Sequence, residues 1–244
     1  MTAVRTSHFA TITLLTAVVV WFAAIAYVIV SEPENVEAYR NSFAWLRTLA
    51  YIGVGATLVC AAAAVFGRHV GISRPIAALA MVLFAVPVAA MMANEDTPPA
   101  GAPINDITTD LDDPPAFSAV IPLRPPGSNP IEYGGPSIAA RQREAYPNVG
   151  PLISNLEFAA AFQKAFETAE GLGWEIVSGD LQSGIIEAVD TTRFFRFRDD
   201  VVIRIREHDG GTRIDLRSRS RIGRSDLGKN ASRILTFIEE FNRS

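Results

Sequence analysis

Arginine is the residue type whose spacing could do chemistry in this chain. From Val201 to Arg206, and again from Thr212 to Ile222, apolar or small residues alternate with charged ones. A period of two is typical of a half-buried antiparallel strand, and the segment 208–211, His-Asp-Gly-Gly, supplies hairpin-turn residues between the two runs. Pairing the strands gathers their arginines on one face. The members of this predicted face include Arg204, Arg217, Arg219 and Arg221.

Guanidinium groups on one sheet face suit two roles. The simpler role is the solvated face of a one-sided sheet, in which arginine stems cover apolar surface while the charged heads stay in water. The other is an anion site, because the planar guanidinium fork matches phosphate and carboxylate oxygens. The candidate anions are phosphate, a lipid head group and a carboxylate-bearing polymer. Nucleic acid as the bound anion is disfavoured by the compartment deduced below. The solvated face and the anion site both stay open.

The turn after the second run is a further candidate for anion binding. It precedes a segment whose apolar residues recur on one helical face as far as Phe241. A helix start beside Arg224 and Lys229 could hold an anion through free backbone N–H groups and the helix dipole. In the simpler alternative Gly223 makes the turn and Asp226 caps the helix. The candidate ligand-binding residues are Arg204, Arg217, Arg219, Arg221, Arg224, Ser225, Asp226 and Asn230.

Histidine, cysteine and phosphate-loop patterns give no support to familiar catalytic machinery. His208 is the only histidine after residue 69, and a triad with Ser225 and Asp226 would join opposite ends of one strand. Cys60 is the only cysteine, so no cysteine metal site or intrachain disulfide is expected. The acidic segment 110–113 lacks the later glycine and glutamate of a calcium-binding EF-hand. We predict no catalytic residue, metal ion or cofactor.

Three long apolar segments indicate a membrane region over residues 1–93. They are Phe9–Val30, Thr48–Phe66 and Pro75–Ala93, each long enough to cross a bilayer. Arg5 precedes the first segment, and Arg68 and Arg74 lie between the second and the third. The loop between the first and second segments, from Ser31 to Ser42, is mainly acidic. The positive-inside rule then places the N-terminus in the cytoplasm and everything after the third span outside it. In a bacterium with an outer membrane, that compartment is the periplasm.

Residues 152–244 are predicted to form an α+β domain. The segment 154–157, Ser-Asn-Leu-Glu, fits a capping box for a helix that ends near Gly171, and Asp199-Asp200 suits a turn before the first arginine-bearing strand. The order helix, four strands, helix indicates a four-stranded antiparallel meander with two helices on one face, which leaves the arginine face uncovered. Residues 94–151 are proline-rich and predict a tether, within which the apolar residues of segment 104–123 indicate an arm packed along the domain.

Several short motifs of the C-terminal half match a known family. They are Asn105-Asp106-Ile107-Thr108-Thr109, Thr192-Arg193, the segment 199–204, Arg217-Ser218, the segment 220–228 and Asn230. On these residues, over roughly positions 104–242, the chain resembles domain of unknown function 1499. The resemblance implies a bacterial-type domain, often exported or membrane-attached, whose activity is not established, and it implies no catalytic residues.

Together these patterns predict a multi-pass inner-membrane protein with a periplasmic domain. We expect a non-enzymatic envelope module, surrounded by the lipid bilayer at its spans, that binds an anionic envelope component or a protein partner and not nucleic acid. The alternative is an envelope hydrolase that uses aspartates together with the arginines. Its candidate residues are Asp106, Asp199, Asp200 and Asp226.

Overall fold

The computed structural model describes residues 12, 16–27, 36–66, 78–85, 104–192, 196–226 and 228–243. The chain divides into two compact units, Met1–Glu95 and Asp96–Ser244.

The first unit contains apolar helices. Helix α1 covers Thr16–Tyr27, α2 spans Val36–Phe66, and residues 78–85 are also helical and are called α3 here. Side chains of α1 and α3 pack together, with the ring of Trp21 edge-on to that of Phe84 at 5.2 Å between centroids. The indole N–H of Trp21 donates to the carbonyl oxygen of Leu49 in α2 at 2.9 Å.

One helix among the described residues is long and apolar enough to cross a membrane. Its apolar part is Arg40–Val59 of α2, with a mean hydropathy of 1.3. The second predicted span, Thr48–Phe66, lies within a helix that begins earlier, at Val36, so that part of the segment predicted as a loop from Ser31 to Ser42 is helical. The first and third predicted spans lie partly outside the described residues, which include only Ile12, α1 and α3 of these two segments.

The second unit is an α+β domain built on an antiparallel sheet. Its meander consists of β3 (Glu175–Asp180), β4 (Ile185–Thr191), β5 (Arg198–His208) and β6 (Gly211–Ser220), in the predicted order. Two short strands, β1 (Asp106–Thr108) and β2 (Leu152–Ser154), both pair with β6. The β5–β6 hairpin aligns Arg204 with Asp215 and Arg206 with Arg213. The alternation of residue types therefore predicted correctly which residues of β5 and β6 share a face of the sheet.

Two helices cover one face of the sheet. They are α5 (Phe158–Gly171) and α6 (Lys229–Arg243). Val201, Ile203 and Ile205 of β5 point toward them and are almost fully buried. Asp226 stabilises the start of α6, because its carboxylate accepts the N–H groups of Gly228 at 3.0 Å and Asn230 at 2.7 Å. These contacts confirm the capping role predicted for Asp226.

Three local predictions are wrong for identifiable reasons. Asp199 and Asp200 lie inside β5 and do not form a turn. Ser154 does not cap α5, because it lies in β2 and pairs with Thr212, and the helix begins only at Phe158. The proline-rich segment also contains a helix, α4 (Pro136–Ala145), which begins with a proline at its first turn, a position that needs no N–H donor.

Candidate functional site

An N-terminal arm covers the arginine face of the sheet. This arm, defined here as residues 104–133, contains β1 and a short 3-10 turn, Ile121–Leu123. The prediction that the arginine face is uncovered is therefore wrong, whereas the prediction of an arm packed along the domain is confirmed. The arm packs on this face because of charge pairing. Its aspartates form ion pairs with guanidinium groups of β5 and β6, as described next.

Asp106 neutralises two of the predicted binding residues. Its carboxylate accepts hydrogen bonds from Nε and Nη2 of Arg217, both at 2.9 Å, and one from Nη1 of Arg219. All three side chains are buried. The guanidinium of Arg217 also lies over the rings of Phe117 and Tyr133, at 4.9 and 5.4 Å from their centroids. Arg217 and Arg219 are therefore held inside the domain and do not face a ligand.

The phenol of Tyr133 belongs to the same buried cluster. Burial, assisted by the negative charge of Asp106, raises the pKa of Tyr133 to about 12, against the opposing effect of Arg217. The phenol is therefore neutral at physiological pH and acts as an aromatic wall beside Arg217.

Asp200 neutralises Arg221, the arginine that directly follows β6. Its Oδ1 accepts Nε of Arg221 at 2.9 Å and Nη2 of Arg221 at 2.7 Å, and its Oδ2 accepts Nη1 of Arg124 from the arm. Burial raises the pKa of Asp200, although both arginines oppose this effect. Arg221 is thus a scaffold residue that ties the arm to β5.

A third cluster closes the far end of the arginine face. Its carboxylates are Asp110, Asp113 and Asp215, and its cations are Arg204, Arg206 and Arg213. Burial by itself raises the pKa of Asp110, but the N–H groups of Asp113 and Asp112 and the charges of Arg213 and Arg204 outweigh it, so the pKa is lowered overall. Arg204 is therefore paired within the chain, as are the acidic residues of segment 110–113.

Asn230 is buried on the helix-covered side of the sheet. Its amide nitrogen donates to the hydroxyl of Ser220 at 2.9 Å, and its amide oxygen accepts the hydroxyl of Ser218 at 2.7 Å. The same oxygen accepts Nη1 of Arg233 at 2.6 Å. Arg233 in turn donates to Asp199 at 2.8 Å. Asn230 therefore joins α6 to β6, and its role is structural.

Of the predicted arginines, Arg224 is the one that the structure leaves exposed. It follows Gly223, whose φ of +90° makes the turn that was predicted there. A second exposed arginine, Arg198, begins β5 at the same end of the sheet, since the N–H of Arg221 points to the carbonyl oxygen of Arg198 at 3.4 Å. We call Arg198 and Arg224 the basic end. Within the described part of the chain, neither guanidinium has an acidic partner.

The candidate set thus separates into two groups. Arg204, Arg217, Arg219, Arg221 and Asn230 are engaged internally, Asp226 caps α6, and Ser225 is half-buried beside Arg224. Sequence reasoning missed Arg198. The alternation of Arg196, Phe197 and Arg198 carries the signal, because it continues the period-two pattern of β5 in the N-terminal direction.

An open groove of about 810 Å³ lies between α5 and α6, lined by residues such as Leu156, Lys164 and Glu240. None of the four aspartates of the hydrolase alternative lines this groove. Asp106, Asp199 and Asp200 each accept hydrogen bonds from arginines, and the carboxylate of Asp226 accepts two backbone N–H groups. Among the described residues, no group of three or more metal-ligating side chains could hold a metal ion.

One sequence comparison identifies the family of the C-terminal domain. The family described as "Protein of unknown function (DUF1499)" matches residues 106–241, more than half of the chain. The chain therefore belongs to this family, which confirms the resemblance noted on the motifs. No curated protein matches the chain. The matched segment starts at Asp106 in β1 and ends at Phe241 in α6, so it includes the acidic part of the arm and its partners.

Proposed function

We propose that the chain is a multi-pass inner-membrane protein with its domain outside the cytoplasm. Support comes from the three apolar segments, from the span-length helix α2, and from the arginines that flank the segments on one side. The N-terminus is then cytoplasmic and residues 94–244 are periplasmic. Alkaline phosphatase fused after Ser244 should be active in cells, because it folds only outside the cytoplasm; an inactive fusion would contradict this orientation.

Within that frame, the domain serves as a non-enzymatic module that binds an anionic ligand of the envelope at the basic end. One observation carries this proposal: Arg198 and Arg224 are exposed at one end of the sheet, while Arg217, Arg219 and Arg221 are buried and used inside the domain. A guanidinium group without a carboxylate partner is the natural site for a phosphate or carboxylate from outside.

The surroundings of the basic end favour an anion over a cation. The nearest strand carboxylates, Asp199 and Asp200, are already neutralised by Arg233, Arg221 and Arg124. The positive charges of Arg198 and Arg224 are therefore left without compensation from the strands beneath them. Since the site is exposed, we expect an affinity that weakens as salt is added.

Binding is favoured over hydrolysis by the state of the aspartates. A general base must reach the reacting proton with a free oxygen lone pair. The carboxylates of Asp106, Asp199 and Asp200 are instead occupied by guanidinium groups inside the domain. A hydrolase would need one of these carboxylates to leave its arginine partner. Anion binding at the basic end needs no such change.

Anions should stabilise the protein through the basic end. Thermal unfolding of the purified full chain would be recorded with inorganic phosphate, glycerol phosphate and glucuronate in turn. A ligand at 100 times its Kd should add about 2.7 kcal/mol to the free energy of unfolding, and Arg198→Gln with Arg224→Gln should remove that gain because it removes both donors. Nucleic acid should give no effect beyond that of its phosphate charge.

The matched control for this experiment is Arg243→Gln. Arg243 is also exposed, but it lies in the last turn of α6 and pairs with Glu239 and Glu240. It should leave the anion effect unchanged. Equal stabilisation of the double variant and of the wild type by the same anion would refute binding at the basic end.

A further inference from the structure

Two large aliphatic side chains of the arm point into solvent. Ile121 and Leu123 belong to the 3-10 turn and are among the exposed large hydrophobic residues of the domain, Leu123 being 49% exposed. Pro122 and Pro126 beside them are exposed as well. Single exposed aliphatic residues are common on protein surfaces, but an adjacent group of them is a feature of interaction sites.

The turn that carries these side chains is fixed from beneath. Val120, which precedes it, is fully buried. The carboxylate of Glu187 in β4 accepts the N–H groups of Ser118, Ala119 and Val120 at 2.9, 2.8 and 3.0 Å. Ile121 and Leu123 are therefore held outward by a rigid support.

The same turn is connected to the basic end. The carbonyl oxygen of Leu123 accepts Nη1 of Arg221 at 2.9 Å. Asn129 of the arm donates its backbone N–H to the carbonyl oxygen of Arg221 at 2.7 Å and its side-chain amide N–H to the carbonyl oxygen of Gly223 at 2.9 Å. Since Gly223 precedes Arg224 and the N–H of Arg221 points to the carbonyl oxygen of Arg198, the apolar turn and the basic end lie at the same end of the domain.

We propose that this end of the domain docks on the surface of an anionic lipid bilayer, an inference that rests on the proposed binding role of the basic end. The aliphatic side chains of Ile121 and Leu123 enter the boundary between head groups and acyl chains, while Arg198 and Arg224 bind lipid phosphates. Apolar residues flanked by cations are the chemistry of interfacial attachment, and each basic residue near an anionic membrane strengthens binding about fivefold.

The bilayer fits this surface better than a soluble anion does. A soluble anion would satisfy the two arginines but would leave Ile121 and Leu123 in water. In addition, α2 is long and apolar enough to cross a membrane, and in the proposed topology it anchors the domain to a bilayer. Tethering of this kind raises the effective concentration, and a weak surface is then sufficient for docking.

The test measures how deep position 123 lies at the membrane. The full chain would carry Cys60→Ala, which removes the only native cysteine, and Leu123→Cys labelled with an environment-sensitive fluorophore. It would be placed in nanodiscs of phosphatidylglycerol and phosphatidylcholine that contain a lipid with a quencher at the head-group boundary. Leu181→Cys is the matched control, because Leu181 is 47% exposed and lies in the β3–β4 turn, at the opposite end of β4 from Thr191 and Arg198.

Docking predicts quenching at position 123 that is at least severalfold stronger than at position 181. The difference should disappear in pure phosphatidylcholine nanodiscs, and also when Arg198→Gln and Arg224→Gln are added. Equal quenching at both positions in phosphatidylglycerol would overturn the proposal. So would a probe at 123 that is shielded from water without lipid quenching, since this indicates a second copy or a protein partner.

Failure of the docking proposal can be told apart from failure of the proposed function. If position 123 is not quenched while phosphate still stabilises the protein through Arg198 and Arg224, docking is refuted and anion binding stands. If quenching at 123 persists unchanged in the double arginine variant, the lipid-phosphate part of the docking proposal is refuted.

Discussion

Replacing Asp106 with alanine should lower the free energy of unfolding of the domain by about 3–5 kcal/mol, the usual cost of breaking a buried ion pair from one side. Asp106 is the carboxylate shared by Arg217 and Arg219, and all three side chains are buried. Without it, two guanidinium groups would stay in the interior with no anionic partner. We expect the arm to detach from β6 at the same time, because β1 pairs with residues 217–219.

The measurement is urea denaturation of residues 96–244. Trp174 is the only tryptophan in that segment and is stacked on Phe237, so its fluorescence reports the core. Asp112→Ala is the control, since the side chain of Asp112 is 94% exposed and its contact to Arg143 is long, at 3.6 Å. The control should cost about 0–1 kcal/mol. If Asp106→Ala cost no more than Asp112→Ala, the arm would not be anchored by its buried ion pairs.

Arg221→Ala should cost about 3–5 kcal/mol near neutral pH and clearly less in acid. Arg221 donates twice to Asp200, whose side chain is wholly buried. Burial already raises the pKa of Asp200 above its ordinary value of 3.8. After removal of Arg221 only Arg124 opposes that burial, so the pKa of Asp200 should rise further.

The sign of the pH effect follows from proton linkage. A carboxyl group whose pKa is raised by folding destabilises the folded protein when it is ionised, that is, above its folded pKa. As the pH falls below that value, the folded state takes up the proton and the penalty shrinks, and it is gone once the pH is below the unfolded pKa near 3.8. The deficit of Arg221→Ala relative to the wild type should therefore shrink between about pH 7 and about pH 4. A deficit that stays constant or grows in acid would contradict the buried pairing of Asp200 and Arg221.

Arg243→Ala supplies the matched control for this series. Its side chain is 62% exposed, and its guanidinium pairs with two glutamates on the surface of α6. Exposed pairs of this kind contribute about 0–1 kcal/mol. The cost of Arg243→Ala should therefore stay small at both pH values.

The meander could be predicted from the sequence because its information is local. The alternation around Arg204 and Asp215 fixes the two faces of the β5–β6 hairpin, and the Asp-Gly pair at 209–210, both residues with positive φ, forms its turn. A strand pattern within one hairpin depends on neighbours only a few residues away. The capping role of Asp226 could be recognised for the same reason, because it depends on residues close in sequence. The capping box predicted at Ser154 is wrong because Ser154 lies in β2 and pairs with β6, a strand distant in sequence.

The covering of the arginine face could not be predicted with the same means. Asp106 and Arg217 are 111 positions apart, and nothing in the local pattern of β6 shows that a carboxylate from the arm will meet each guanidinium. A weak signal exists, because the stretch before residue 190 is acidic and the stretch after it is basic. That asymmetry suggests pairing but not which arginines stay exposed. Arg224 and Arg198 remain exposed, and among the described residues no carboxylate of the arm forms an ion pair with either of them.

The division of the arginines into a buried scaffold and an exposed basic end is tested most directly by arginine footprinting. The folded chain would be treated with phenylglyoxal, with and without phosphate, and the modification rate of each arginine read by mass spectrometry. We predict fast modification of Arg198 and Arg224, slowed by phosphate. The arginines predicted to be protected until the domain unfolds are Arg217, Arg219, Arg221 and Arg233. Modification of Arg217, Arg219 and Arg221 in the folded protein at the rate of Arg224 would contradict the account.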